Sequence, residues 1–406
     1  MSHLTPERRM LQEATRRFAM QEVLPLANRL DPVKGEIPMA LRDKMAELGY
    51  FGIKMPAEYG GLDMGCFEYC LISEELARAW MSVSSIIRHS MAHSIIPGSA
   101  FSPAQKEKYF RRMASGQFLG ALAMSEPGTG SDISGLSTRA RREGSEWVIT
   151  GSKYWCTFAD GADFLVVIAR TDPHVDPKRR HLGLSAFIVE KPRGGWPPGI
   201  QGHPIPKIGY FGWNTCELAL DQVRVPAENM LGEEGKAFYL VTSGLESSRA
   251  QTAARSIGLA RGALEDAMSY ARDRVQFGQP IAHFQAIRFK IAQMAAQIES
   301  CRQMLYSVCT QIDEGQRCDT EAAMVKYLSA EMAEQVTSEA IQILGGAGYT
   351  THFAVERYWR DARLTKIFEG TSEIQLRIIS DALLGKVQVK DVATHTGQSH
   401  KLELPV

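Results

Sequence analysis

No stretch of this sequence stays apolar long enough to cross a bilayer. Its first residues, Met1-Ser-His-Leu-Thr-Pro-Glu-Arg-Arg, lack the apolar core of an export signal. An excess of one charge is missing too, since 46 Lys and Arg face 46 Asp and Glu. That balance argues against a partner held mainly by phosphate electrostatics, nucleic acid above all, while leaving room for one compact phosphate site. Disulfide and zinc spacings are also absent: the seven cysteines, Cys66, Cys70, Cys156, Cys216, Cys301, Cys309 and Cys318, are odd in number and include no Cys-x-x-Cys pair. They read as reduced, mostly buried thiols of a cytoplasmic protein with no bound metal. Neither an internal repeat nor a low-complexity tract interrupts the chain.

What is there is enough chain, 406 residues, for two or three domains. Residues 1–118 read as an all-α domain, with apolar positions at helical spacing in Leu11 to Phe18 and Leu41 to Leu48, and Ser102-Pro103 opening a further helix. Over 119–232 the period drops to two. Phe118–Met124, Trp147–Thr150, Phe164–Ile168 and Leu184–Val189 read as strands of a small antiparallel, barrel-like β domain. From 233 to 386 long amphipathic helices return, with Ile257, Ala260, Leu264, Ala267 and Ala271 marking one seam and Val325, Leu328 and Met332 another, as in an antiparallel bundle of three or four helices. Residues 387–406 form a polar tail without periodicity. The class is therefore α+β, multidomain.

Several stretches carry possible chemistry. In Phe368-Glu-Gly-Thr-Ser-Glu-Ile-Gln375, Ser372 and Gln375 have capping-box spacing, which starts a helix there and leaves Glu369 on the turn before it. Ser125-Glu-Pro-Gly-Thr-Gly-Ser-Asp132 follows a strand and can expose successive N–H groups to a phosphate or a ring edge. Trp155 and Thr157 supply a flat surface and a hydroxyl nearby. Arg274-Val-Gln-Phe-Gly to Gln285, and Gln342-Ile-Leu-Gly-Gly346, interrupt long helices with a cation, a ring, amides and glycines. Each alone would also fit a helix–helix corner.

Taken in order, Met124-Ser-Glu-Pro-Gly-Thr-Gly-Ser-Asp132, Arg274 with Phe277-Gly278 and Gln285, Gln342 with Gly345-Gly346-Ala-Gly348-Tyr349, Arg360-Asp361-Ala362 and Glu369-Gly-Thr-Ser-Glu-Ile-Gln375 resemble the acyl-CoA dehydrogenase family. The resemblance runs from about Leu4 to Leu384. It implies a C-terminal four-helix bundle, with FAD bound between the β domain, that bundle and a neighbouring subunit, in a homotetramer built as a dimer of dimers. By position, Leu122, Met124 and Ser125 would line one side of the flavin ring, Trp155 and Thr157 the other, with Ser131 near a cofactor or CoA phosphate. Arg274, Gln276, Phe277, Gln285, Gln342 and Gly346 would reach over from the second subunit, and Thr371 and Glu373 would finish the cofactor site. Arg249 falls where the family places an arginine near CoA, and Glu246 stands where Asp is more usual.

The implied reaction is α,β-dehydrogenation of an acyl-CoA. Glu369 would take the Cα proton, flavin N5 would take the Cβ hydride, and an electron-transferring flavoprotein would receive the electrons. Burial of Glu369 beside flavin would favour its neutral form and so raise its basicity. Leu245–Arg255, Gln316–Met324 and Ile208–Trp213 resemble the branch that oxidises 2-substituted succinyl-CoA thioesters. A methylsuccinyl enzyme would carry a longer N-terminal region, which puts benzylsuccinyl-CoA first. The second carboxylate of such a substrate needs a buried cation, and Arg88 and Arg78 are the first candidates, ahead of His89 and His93. Short or branched-chain and glutaryl-type acyl-CoA are the alternatives. A flavin monooxygenase, which would lack the base, an acyl-CoA oxidase and a flavin-free CoA-binding helical protein are the rivals on the same fold.

Overall fold

A computed structural model describes residues 3–174, 176 and 179–385. The expected polar tail and Lys178, part of a basic loop, lie outside the described residues.

Helices come first: α1 (Pro6–Phe18), α2 (Leu24–Leu30), α3 (Met39–Glu47), α4 (Cys66–Ala79), α5 (Met81–Ile86) and α6 (Pro103–Ala114). The cap chemistry written in the sequence starts two of them. Thr5 accepts from Arg8 N ahead of Pro6, and Ser102 forms a full capping box with Gln105 ahead of Pro103. The middle sheet holds β1 (Gly120–Ala123), β2 (Arg139–Glu143), β3 (Glu146–Thr157), β4 (Phe164–Arg170), β5 (Leu184–Glu190), β6 (Ile200–Pro204), β7 (Thr215–Pro226) and β8 (Met230–Leu231). Their order is β6-β7-β3-β2-β4-β5-β8, with β1 paired to β4. The sheet is mixed rather than purely antiparallel, because β1 and the start of β2 both run parallel to β4. Parallel pairing explains why β4 is buried on both faces and reads as a continuous apolar run instead of alternating.

The C-terminal region holds α7 (Ala237–Ser243), α8 (Leu245–Asp273), the short hairpin β9 (Val275–Gln276) and β10 (Gln279–Pro280), α9 (Gln285–Asp313), α10 (Asp319–Leu344), α11 (Val355–Thr365) and α12 (Ser372–Leu384). The seam Ile257 to Ala271 is buried as its period requires. Leu328 departs from the expected pattern and stands exposed between buried Val325 and Met332.

The first helical region packs closely on the last. Helix α4 is sunk against α8, and a Cβ at Gly258 would lie 2.4 Å from the Glu74 carbonyl oxygen, so only glycine permits the crossing. Buried Glu74 and Glu75 at this crossing meet Arg261 of α8 and Arg302 of α9, with Arg302 Nη2 to Glu74 at 3.0 Å and Arg261 Nη1 to Glu75 at 2.7 Å. Arg16 of α1 joins them through Glu265 at 2.9 Å. Buried carboxylates demand such partners, since an unpaired one costs several kcal/mol, roughly 3–5 when a pair is broken. Three of the cysteines also converge here, with the Sγ atoms of Cys66, Cys70 and Cys309 within 4.8 Å of one another as buried free thiols.

Candidate active site

Glu369 sits between α11 and α12 with φ at 56°, a left-handed conformation that costs a non-glycine residue about 1–3 kcal/mol and persists only when its surroundings enforce it. They do. The carbonyl of the next residue, Gly370, accepts from Lys326 Nζ at 2.6 Å and from Gln375 Nε2 at 3.0 Å. The helix cap lies one residue earlier than its spacing suggested: Thr371 accepts from Ile374 N, while Ser372 donates to Glu331 at 2.8 Å and Gln375 turns back to Gly370. The predicted Ser372–Gln375 box is thus replaced by a Thr371 cap and a side-chain clamp, with Glu369 still on the turn.

The Glu369 carboxylate is nearly enclosed. On α8, Ser248, Thr252 and Arg255 recur at steps of four and three and so share one face. Ser248 donates to Oε2, Thr252 Oγ1 lies 3.3 Å from the same oxygen, and Arg255 Nη2 donates to Oε1 at 3.0 Å. Arg88, from the 3-10 turn Ile87–Ser90, closes on Oε1 from the other side. Two guanidiniums, Arg255 fully buried and Arg88 partly so, therefore embrace one carboxylate, and they favour its charged form, opposing the neutral form that burial alone would select. Burial and the proximity of Arg255 push Arg88 down to about 10. Hydrogen-bonding capacity remains: Arg88 Nε, Arg255 Nε and Nη1 and the buried Tyr69 hydroxyl have no partner. Phe368 lies under Arg255, 5.4 Å from guanidinium to ring centre, and Tyr210 packs edge-on to Phe368. Tyr210 N is anchored to the Asp361 carboxyl at 2.6 Å, a group that burial and then Asp31 push up to about 7.

Matches to the acyl-CoA dehydrogenase N-terminal, middle and C-terminal domains cover residues 5–117, 121–223 and 235–384. This chain belongs to the acyl-CoA dehydrogenase family. It is similar to the (2S)-methylsuccinyl-CoA dehydrogenase of Cereibacter sphaeroides, 40% identical over 391 residues, 94% of this chain and 70% of that protein. Among solved structures, the butyryl-CoA dehydrogenase of Megasphaera elsdenii superposes with a TM-score of 0.86 at 35% identity, covering 94% of this chain and 99% of the other. A glutaryl-CoA dehydrogenase solved with glutaryl-CoA gives 0.87 at 34%, covering 94% and 96%. The acyl-CoA dehydrogenases are FAD-dependent oxidoreductases, and this chain is one of them.

The side chains present fit that cofactor. Trp155 stands 57% exposed at φ 61°, on an irregularity of β3, where a buried core tryptophan would have no reason to bear strain. Lys153 Nζ binds the Met124 carbonyl at 2.9 Å and Tyr154 N binds the Ser125 carbonyl at 2.8 Å, so Leu122, Met124 and Ser125 are tied beside Trp155 and Thr157. The loop that follows is fixed by Glu126, whose carboxylate accepts from Lys153, Ser137 and Thr138. Burial opposes its charge, yet those partners hold it down to about 2. Past that anchor Gly128, Gly130 and Ser131 are open to solvent, with no atom within 4 Å of a Cβ built on either glycine.

The set expected to serve a second subunit, Arg274, Gln276, Phe277, Gln285, Gln342 and Gly346, is exposed throughout, with Phe277 94% exposed on the β9–β10 hairpin. Thr371 is engaged as the cap, and Glu373 is exposed in the first turn of α12. Arg249 is buried with no hydrogen bond at Nε or Nη1, its Nη1 in an ion pair with Asp319 at 3.7 Å, and Glu246 lies in the same group. Two pocket candidates divide sharply. Arg88 meets Glu369, but Arg78 points into the helix junction, held by Glu265 at 2.8 Å, Tyr358 at 2.8 Å and Asp266 at 3.0 Å, which leaves nothing for a substrate. His89 is likewise structural, its Nδ1 2.7 Å from the Gly120 carbonyl oxygen, and His93 packs on Phe110. Arg255 was the residue the sequence reading passed over. The available signal was the polar stripe Ser248, Thr252 and Arg255 at i, i+4 and i+7 of α8.

Proposed function

We propose that this enzyme oxidises a 2-substituted succinyl-CoA, such as benzylsuccinyl-CoA or methylsuccinyl-CoA, to the corresponding 2-enoyl-CoA. The observation that carries this reading is the pair Arg88 and Arg255, one partly and one fully buried cation with unused donors at the candidate base. A monocarboxylic acyl chain offers such donors nothing, and leaving them dry against a methyl group would cost affinity.

Glu369 takes the proton from Cα. Its backbone N–H, presented by the strained turn, donates to the thioester oxygen as enolate charge develops there. The Cβ–H bond breaks with its electron pair, and the Cα–Cβ double bond forms. Flavin, held by this site, would supply the hydride acceptor, with an electron-transferring flavoprotein as the final oxidant. Arg249 and Glu246 flank the thioester's CoA arm. Arg274, Gln276, Phe277, Gln285, Gln342 and Gly346 complete the cofactor site of a second copy in a homotetramer.

Anaerobic bleaching of the flavin absorbance with benzylsuccinyl-, methylsuccinyl-, glutaryl-, butyryl- and isobutyryl-CoA tests the reading. Bleaching by a succinyl derivative alone, lost in Glu369→Gln, is the expected result. A glutaryl thioester carries its carboxylate one carbon further out, so preference for it moves the chain to that class. Preference for butyryl- or isobutyryl-CoA removes the carboxylate pocket.

A further inference from the structure

Glu369 and the carboxylate of a succinyl substrate compete for the same two cations. We propose that in the substrate-free enzyme Glu369 occupies the seat of the substrate's own distal carboxylate, so that a dicarboxylic thioester frees the base as it binds and a monocarboxylic one does not. The inference rests on the succinyl reading above and concerns the regulation of that same site.

Charge balance favours the exchange. Two guanidiniums face the Glu369 carboxylate, Arg88 from the 3-10 turn and Arg255 from α8. Lys326 of α10 binds the Gly370 carbonyl behind it, with Glu331, Glu373 and Arg249 as its own charged neighbours. Tyr69 and Tyr210 are the other titratable groups, and burial pushes both phenols up and keeps them neutral. Against the two guanidiniums stands one carboxylate. A second anion entering the cluster improves the balance instead of adding repulsion. The donors are in place as well, since Arg255 Nε and Nη1 and Arg88 Nε are unpartnered while Glu369 is bound.

The displaced Glu369 need not travel far. Ser248 and Thr252 hold its other oxygen, Oε2, and the backbone is clamped through Gly370 to Lys326 and Gln375. Those contacts keep the carboxylate aimed while its guanidinium partners turn to the newcomer. A carboxylate released from two cations binds a proton more tightly and is a stronger base toward the weakly acidic Cα–H. Discrimination between mono- and dicarboxylic substrates then appears in kcat as well as in KM.

Proton uptake on binding is the direct readout. Calorimetric titration of the holoenzyme with 2-methylfumaryl-CoA, a non-reducing product ligand, at pH 6.5 in two buffers of different ionisation enthalpy should show uptake of a fraction of a proton. Crotonyl-CoA should show none, and neither ligand should do so with Glu369→Gln. A kinetic crossing accompanies it. In Arg255→Met and Arg88→Met, flavin bleaching by methylsuccinyl-CoA should fall about a hundredfold or more while bleaching by butyryl-CoA rises several-fold, and Arg255→Lys should restore the wild-type order. A purely structural role for either arginine lowers both rates. Equal proton uptake with both ligands, or loss of both rates in folded, flavin-loaded variants, overturns the exchange. Should 2-methylfumaryl-CoA bind no tighter than crotonyl-CoA, the succinyl reading falls with it; tight binding without uptake and without the crossing removes the exchange alone.

Discussion

His89 shows how a single buried group couples this fold to pH. Its ring lies against Phe158 and Trp213, and burial pushes it down to about 3, far below the unfolded value near 6.5. The folded chain therefore refuses a proton that the unfolded chain accepts, so this contribution to stability is intact above pH 6.5 and is lost as pH falls toward 3. Between pH 6.5 and 5 the wild type should lose about 2 kcal/mol more than His89→Gln, at roughly 1.4 kcal/mol per pH unit, read from urea midpoints. The place of Glu369 on the turn before a helix was legible in sequence because a glycine and a helix start make a local pattern, whereas its role as base is what the family resemblance implies. Arg88 and Arg78 were not separable there, because an arginine's role is fixed by its partners. Glu265, Asp266 and Tyr358 saturate Arg78, and they lie roughly 190 and 280 residues away along the chain.

Among the elements, α8 carries the most. One face bears Ser248, Thr252 and Arg255 toward Glu369, and another accepts α4 at Gly258. Gly258→Ala would force a methyl group to within 2.4 Å of backbone, and backbone cannot swing aside. The substitution should cost about 1–3 kcal/mol by overpacking, seen as a lowered Tm, and should shift Ser248 and Arg255 enough to slow flavin bleaching. The periodicity of α8 made its apolar seam readable in advance. The parallel pairing of β1 with β4 was not, because strand direction depends on connections that period-two patterning does not encode.

Across the whole molecule, large apolar side chains stand unusually free: Phe277 at 94% and Tyr349 at 87%, beside glycine-rich turns at the ends of α8 and α10. Exposed rings on such turns are the mark of a contact yet to be made. Phe277→Glu should shift the protein to a smaller species by light scattering and weaken flavin retention, while the isolated chain keeps its helical CD signal. Only the family resemblance singles these residues out, since nothing in their own periodicity distinguishes them from ordinary helix corners. The ionic lattice joining Arg16, Glu74, Glu75, Arg261, Glu265 and Arg302 has a different reach. It crosses from the first helix to the bundle, so the segments that look separable along the chain should share one melting transition, seen as a single calorimetric peak. Cutting between them would strand acids and bases on opposite fragments, neither able to bury what it keeps.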